Sequence, residues 1–200
     1  MYTKSNQLLI EAVWTPKENI IWIQRFILAG LGVLFLIIAA KIKLILPFSP
    51  VPITLGTFAV LTIGTVYGQR LGLFTIFGYL LIGMLGFDVF ANSSAEANGI
   101  SYMFGGTGGY LLRYCFAVIA FGYFAKLNWD RNIFKLSVAL IVANLLIYIP
   151  GLLWLGQLYG WDQPIVAWGL NPFFFGDLLK LALTASLIPM IWKLLDLFKN

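Results

Sequence analysis

Long apolar stretches separated by short polar breaks run through this 200-residue sequence. Hydrophobic residues make up 60% of the chain and charged residues 10%, whereas a soluble domain carries about 25% charged residues. A helix needs roughly 20 mainly apolar residues to cross a bilayer. The sequence therefore predicts an all-α integral membrane protein, a compact bundle of six transmembrane helices with no separate soluble domain. The predicted spans lie at about 20–40, 53–67, 71–87, 110–125, 136–158 and 173–198.

The polar segments divide the chain into two regions. Residues 1–19 hold four charged side chains and only short apolar clusters, which predicts a cytoplasmic N-terminal tail ahead of a membrane domain over 20–200. The apolar cluster at 8–14 has two interpretations, because it can lie flat at the membrane interface or fray as part of the tail. Three prolines at 47, 50 and 52 end the first span, since proline removes a backbone donor and restricts the residue before it.

The distribution of charged residues predicts the orientation of these spans. Cytoplasmic loops of membrane proteins carry an excess of Lys and Arg. Both termini are therefore expected in the cytoplasm of a multi-pass protein of the cell (plasma) membrane, with the polar segment 88–109 outside. The predicted N-terminal side holds Lys4, Lys17, Arg25, Arg70, Lys126, Arg131, Lys135, Lys193 and Lys199, and the opposite side holds Lys41, Lys43, Asp88, Glu96 and Asp162.

Several absences narrow the function. The chain has no histidine, which excludes Ser-His and Cys-His catalysis, as in a rhomboid-like protease, and most zinc and haem sites. Its single cysteine, Cys115, lies in an apolar run and is interpreted as a packing residue. No phosphate-binding loop motif occurs, so the chain is not expected to hydrolyse ATP. The sequence predicts a protein that is not an enzyme and has neither a metal, a cofactor nor a nucleic-acid partner.

Three charged residues remain inside the predicted spans and are the first candidates for a binding site. Asp177 and Lys180 lie three residues apart, so they project from one face of a helix. Two interpretations stay open: an ion pair that allows the helix end to be inserted, or a ligand site in which Asp177 accepts from ligand N–H groups and Lys180 meets a ligand carboxylate. Arg113 either snorkels, braces the outer loop through Asp88 or Glu96, or contacts the ligand.

The glycine-rich motif Gly105-Gly-Thr-Gly-Gly-Tyr110 also has two interpretations. Glycine allows a ligand to approach the backbone, which makes Thr107 and Gly108 candidate ligand contacts. Small residues equally allow helices to pack closely in lipid. Spacing alone does not choose between the two.

Four separated motifs together resemble the BioY family, the biotin-specific S components of energy-coupling-factor vitamin transporters. They are Pro47-Phe-Ser-Pro-Val-Pro-Ile-Thr54, Val89-Phe-Ala91, Gly105-Gly-Thr-Gly-Gly-Tyr110 and Phe175-Gly-Asp-Leu-Leu-Lys180. The resemblance covers about 20–198. It implies a six-helix protein that captures biotin, as a transported ligand, near the outer face of the membrane. The implied partners are biotin, membrane lipid, a transmembrane coupling subunit and ATPase subunits on separate chains.

The resemblance also implies which residues bind. The Asp and Lys of the family's G-D-x-x-K motif bind ligand, which maps onto Asp177 and Lys180. A polar residue of the outer loop contributes, best matched by Asn92, with Asn98 second. Biotin has a ureido ring, an apolar thiophane ring and a carboxylate tail, so aromatic neighbours are expected too. The aromatic candidates are Phe90, Tyr110 and Phe173.

The sequence departs from the family pattern at several points. Gly106 replaces a proline, Gly56 replaces a glutamine, and the outer loop is a few residues longer. The small residues of the first span contain no pair at the Ala-x-x-x-Ala spacing with which such proteins dock to the shared membrane subunit. Alternatives also remain: an S component for thiamine or riboflavin, or a structural subunit in which Asp177 and Lys180 only pair with each other.

Overall fold

The computed structural model describes residues 7–14, 20–49, 51–94 and 97–199, so Lys4, Lys17 and Glu96 lie outside the described residues. A short 3₁₀ turn, Trp129–Arg131, joins two of the helices, and strand β1 (Lys43–Leu44) pairs antiparallel with β2 (Ile53–Thr54). The helices are α1 (Leu9–Val13), α2 (Ile21–Lys41), α3 (Gly56–Met84), α4 (Gly99–Met103), α5 (Gly108–Lys126), α6 (Ile133–Tyr159), α7 (Ile165–Gly169) and α8 (Asn171–Lys199).

Five helical segments of the described chain are long and apolar enough to cross a membrane: α2, α3, α5, α6 and the segment Ile165–Phe198, which contains α7 and nearly all of α8. Large apolar side chains cover their outer faces, such as Phe26, Phe77 and Leu145, each more than half exposed. Such surfaces are stable in lipid rather than in water. The prediction of an all-helical membrane protein is confirmed, whereas the sequence did not predict the two-stranded hairpin.

Helix α3 contains a break at its centre. Gly68 has φ 72° and ψ −172°, which is not helical and lies in a region that glycine alone adopts readily. A Cβ built on Gly72 would lie 3.7 Å from the side chain of Ile63. Nine residues along a continuous helix rise about 13 Å, so the chain changes direction at Gly68. The turn predicted between 67 and 71 coincides with this break.

Helix α6, in contrast, continues without a break through its proline. Pro150 lies inside α6, which runs on to Tyr159. Membrane helices tolerate proline because neighbouring side chains satisfy the backbone groups that it frees. Pro189 lies inside α8 in the same way.

Small residues form the centre of the bundle. Ala59 of α3, Ala117 of α5, and Ala139 and Ala143 of α6 are fully buried. A Cβ on Gly64 would lie 3.2 Å from the Cα of Val118, so α3 and α5 approach backbone to backbone. Helices in lipid associate through this kind of close packing.

Hydrogen bonds and an ion pair between side chains occur at the two ends of the bundle. At one end Lys126 at the C-terminus of α5 donates to Gln69 beside the α3 break, and Trp192 of α8 donates to Asp130. At the other end Lys41 pairs with Asp88. Lys41 and Asp88, which the sequence assigns to the same side of the membrane, therefore lie together in space.

The described part of the N-terminal tail packs on the bundle. Leu9 and Ala12 of α1 are buried, and a Cβ on Gly68 would lie 2.5 Å from the side chain of Leu8. This segment is thus a short helix against the break in α3. It does not fray, and whether it also lies flat at the membrane interface stays a prediction.

Candidate functional site

A cavity of about 600 Å³, its mouth included, lies among α3, α5, α6 and α8 on the side of the β1–β2 hairpin. Its wall combines apolar side chains with threonines, tyrosines and one charged pair. The lining residues are Ala40, Val51, Pro52, Thr54, Thr57, Tyr79, Ala91, Tyr102, Thr107, Tyr110, Leu111, Tyr114, Ile147, Tyr148, Phe173, Asp177 and Lys180.

Asp177 and Lys180 form the charged pair of the cavity wall. They lie one turn apart on α8, and Lys180 Nζ is 2.8 Å from Asp177 Oδ1. Both are about 5% exposed. Lys180 also donates to Thr57 Oγ1 of α3 at 3.1 Å. The structure thus brings the two residues together on one helix face, as their spacing predicts, and shows the ion pair without deciding against a ligand role.

Helix α6 adds two partners to Asp177 that the sequence interpretation missed. The Tyr148 hydroxyl donates to Asp177 Oδ2, and Asn144 Nδ2 lies 3.5 Å from the same oxygen. Asn144 and Tyr148 are four residues apart and share a helix face. One signal was available, because a polar Asn inside an otherwise apolar span points to an interior contact.

Tyrosines supply much of the cavity surface. Five line it: Tyr79, Tyr102, Tyr110, Tyr114 and Tyr148. A tyrosine offers an apolar ring face together with a hydroxyl that donates and accepts. Of these five, the sequence singled out Tyr110 alone. Such a surface suits a ligand with both apolar rings and hydrogen-bonding groups.

The outer-loop candidates lie at different depths. Phe90 is fully buried behind the wall, stacked at 5.2 Å on Tyr102, and is not among the lining residues. The backbone N–H of Asn92 donates to the Tyr102 hydroxyl at 3.1 Å, and its Oδ1 is buried with no hydrogen-bond partner among the described residues. Asn98 precedes α4, where its carbonyl accepts from Ser101, and does not line the cavity.

The glycine-rich motif both lines the cavity and packs helices. Thr107 and Tyr110 are lining residues, and the Tyr110 hydroxyl donates to the carbonyl of Gly169 at 3.1 Å. A Cβ on Gly108 would collide with the carbonyl oxygen of Met103. At Gly108 the structure thus provides a packing reason for glycine, and no ligand contact is needed to explain it.

Arg113 is buried, at 3% exposed, one layer behind the lining. Its Nη1 donates to the carbonyl of Ile147 at 2.8 Å, and its guanidinium lies 4.8 Å from the centre of the Tyr110 ring. Snorkelling is therefore wrong, because the side chain stays inside the bundle. Bracing through Asp88 is also wrong, since Asp88 pairs with Lys41 instead, while Glu96 lies outside the described residues.

Asp88 connects two outer segments beside the cavity. Its carboxylate accepts from Lys41 and from Ser93, both at 2.5 Å, and the bond from Lys41 contributes most to lowering the pKa of Asp88. Lys43 donates to the carbonyl of Ala91, a lining residue. These bonds fix the loop that follows α3 against the end of α2.

The described side chains contain no group of three or more His, Cys, Asp or Glu that could hold a metal ion.

Comparison with known proteins assigns the family. The model of the BioY family matches residues 9–197. The chain is 30% identical over 172 residues to the biotin transporter BioY of Thermotoga maritima, covering 86% of this chain and 97% of that protein. It is 34% identical over 150 residues to the biotin transporter BioY2 of Lactococcus lactis subsp. cremoris, covering 72% and 78%.

A solved structure shares the fold. The crystal structure of the S-component for biotin from an ECF-type ABC transporter matches with a TM-score of 0.75, covering 88% of this chain and 94% of that one at 22% identity. The structural match and the family match together span nearly all of the described residues. The chain is thus a multi-pass membrane protein that belongs to the BioY family.

Proposed function

We propose that this chain captures biotin and serves its uptake across the membrane as the S component of an ECF-type transporter. Membership of the BioY family supports a transport role rather than an enzymatic one. The observation that supports biotin as the ligand is the balance of buried charges around the cavity. Arg113 and Lys180 are two buried cations, and Asp177 is the one buried anion beside them in the described chain.

This imbalance favours an anionic ligand. A buried charge without a counter-charge is costly, and in a membrane the cost is higher still. Because Asp177 is paired with Lys180, the excess formal charge is one positive unit. Biotin carries one carboxylate and an uncharged ureido ring, so its binding neutralises the site. Thiamine is a cation and riboflavin is uncharged, so neither has this effect.

The predicted site residues then take distinct roles in the proposal. Lys180 has three N–H donors, two of which go to Asp177 and Thr57, so one remains for the ligand. Tyr110, Thr107 and Phe173 contact the ligand as part of the wall.

The other candidates act from behind that wall or from the loop. Asn92 offers the unpartnered Oδ1 as an acceptor if the loop shifts toward the cavity. Phe90 and Gly108 support the wall, Asn98 shapes the loop, and Arg113 supplies charge.

The six-helix count belongs to the same proposal. The reversal at Gly68 divides α3 into two arms, each shorter than the roughly 20 residues of an ordinary span. Counting both arms gives six spans and places both termini on one side. The exposed basic residues Arg70, Lys126 and Lys193 lie at that end, which supports cytoplasmic termini in the plasma membrane.

Energy for uptake would come from other chains. The sequence contains no phosphate-binding loop, so a transmembrane coupling subunit and ATPase subunits are the proposed partners, together with lipid around the apolar faces. The solved protein that shares the fold is an S-component from an ECF-type ABC transporter, which supports this arrangement.

Biotin titration of the purified protein in detergent tests the function. We expect saturable binding that Asp177→Asn and Lys180→Ala weaken at least tenfold, since each removes a charged hydrogen-bond partner. Lys193→Ala, an exposed lysine on the same helix, is the matched control and should bind as the wild type does. Binding of thiamine or riboflavin in place of biotin, or no binding by the wild type, would show that the proposal is wrong.

A further inference from the structure

The hairpin segment that joins α2 to α3, residues 43–54, has two unlike faces. On one face Val51 and Thr54 line the cavity. On the other face Leu44, Ile45 and Phe48 are each more than half exposed. Contiguous exposed apolar side chains mark a surface that contacts a partner or lipid. We call these three residues, together with the exposed Ile42 just before them, the hairpin patch.

The polar side chains of this segment bond to the rest of the protein. Lys43 is its one charged residue, and its amine donates to the carbonyl of Ala91. The Ser49 hydroxyl donates to the carbonyl of Trp168 at 2.7 Å. These bonds hold the segment against the loop after α3 and against α7. The exposed surface that the hairpin patch presents is therefore apolar.

The hairpin patch continues the lipid-facing surface of α2. Leu34, Ile38 and Ile42 are spaced four residues apart, so they follow one face of the helix and its cap. Each is more than half exposed, like the outer faces of the other spans. Leu44 and Ile45 come directly after this row, so the apolar surface runs from the helix onto the hairpin without a polar break at its surface.

The length of α2 places the hairpin patch at the depth of acyl chains. At the other end of α2 the Arg25 guanidinium lies 5.1 Å from the centre of the Trp22 ring, and Trp and Arg collect at the membrane boundary. From Phe26 to Lys41 the helix rises about 24 Å. The hydrocarbon core is about 30 Å thick, so about 6 Å remains beyond Lys41. Any tilt of α2 increases this remainder.

We infer that the hairpin patch is immersed in the membrane leaflet on the cavity side and contacts lipid acyl chains. One strand pair then separates lipid from the ligand cavity, with its apolar outer face in the bilayer and its inner face in the cavity wall. This inference goes beyond biotin capture, because it requires only that the chain spans the membrane.

Depth measurements with nitroxide side chains test the inference. The labels are attached to Leu44→Cys and Phe48→Cys in a Cys115→Ala background, and the proteins are reconstituted into phosphatidylcholine vesicles. Oxygen concentrates among acyl chains, whereas a nickel chelate stays in water. We expect the ratio of oxygen to nickel accessibility at both positions to match that at Leu145→Cys, a lipid-facing control on α6. The ratio should be several-fold lower at Asp162→Cys, an exposed polar position in the turn between α6 and α7.

The possible outcomes are distinct. Nickel accessibility at Leu44 and Phe48 as high as at Asp162 would overturn the inference, since the hairpin patch would then lie in water. Protection from both reagents would also overturn it and would show that protein, such as a second copy of the chain, covers the patch. Both substituted side chains are largely exposed, so the variants should unfold at the wild-type temperature. A failure to bind biotin would overturn the proposed function alone, because the depth measurement uses no ligand.

Discussion

Replacing Arg113 by Met should reduce the preference of the site for a charged over an uncharged ligand tail. The guanidinium lies 4.8 Å from the centre of the Tyr110 ring, and Arg113 is not among the residues that line the cavity. A carboxylate in van der Waals contact with the cavity side would lie about 4 Å beyond the ring, hence about 9 Å from the guanidinium. With an effective dielectric constant of about 20, that attraction is worth about 2 kcal/mol. The lost attraction corresponds to a factor of about 20 in affinity.

The assay is a comparison of biotin with biotin methyl ester, which keeps both rings and loses the charge. In the wild type the acid should bind more tightly than the ester. In Arg113→Met we expect the dissociation constant of the ester divided by that of the acid to fall about 20-fold. Arg113→Lys keeps the charge, so this variant should retain most of the wild-type preference for the acid. Any general loosening of the site affects acid and ester alike and cancels in the ratio.

Equal weakening of acid and ester by Arg113→Met would refute this reasoning. Arg113 would then matter only for packing against Gly109, Gly151 and Tyr110, where its guanidinium fills the space that a glycine Cβ would need. If Arg113→Met leaves the ester-to-acid ratio unchanged and Lys180→Ala strongly reduces that ratio, the ligand carboxylate lies beside Lys180 alone.

Two further predictions concern stability, measured as thermal unfolding in detergent. Burial raises the pKa of Asp130 to about 6, from an ordinary value of 3.8. Folding therefore favours the protonated form, and stability should fall as the pH rises from about 4 to about 6, by up to about 3 kcal/mol. Asp130→Asn can still accept from Trp192, so this variant should lose the pH dependence and be more stable than the wild type at pH 7. Stability profiles of wild type and variant that run parallel over this pH range would contradict the raised pKa of Asp130. Gly108→Ala should lower the unfolding temperature, because the added Cβ collides with Met103 at an overpacking cost of about 1–3 kcal/mol. Gly30→Ala is the control, since a Cβ there has nothing within 4 Å, and it should leave the unfolding temperature unchanged. Equal effects of the two substitutions would contradict the packing role of Gly108.

The sequence was sufficient to predict an all-helical membrane protein, because lipid imposes a simple rule on length and polarity. The predicted bounds of the span at 110–125 and of α5 differ by no more than two residues at either end. The turn beside Gly68 was also predictable, since a glycine and two polar residues interrupt an apolar run. Asp177 and Lys180 were found for the same reason: ionisable residues inside a span have few explanations.

The rest of the site depends on contacts between distant segments. Thr57, Tyr148 and Asp177 are separated by about ninety and thirty residues, and no local pattern shows that three helices bring them together. Tyrosine is common at membrane interfaces, so its presence alone did not mark a cavity wall. The hairpin of β1 and β2 was missed because two-residue strands have no periodicity to detect.

The two interpretations of Asp177 and Lys180 are compatible once the hydrogen bonds are counted. A transport protein must be stable both with and without its ligand, and an isolated charge in an empty cavity would make the unoccupied form costly. The pairing of Asp177 with Lys180 and the hydrogen bond from Tyr148 to Asp177 offset that cost. The charge left over is that of Arg113, held away from the opening behind an aromatic ring. On the proposed function, the ion pair stabilises the unoccupied site and the charge of Arg113 favours an anionic ligand. Substitutions of Lys180 and Arg113 should therefore differ in how strongly the protein distinguishes acid from ester.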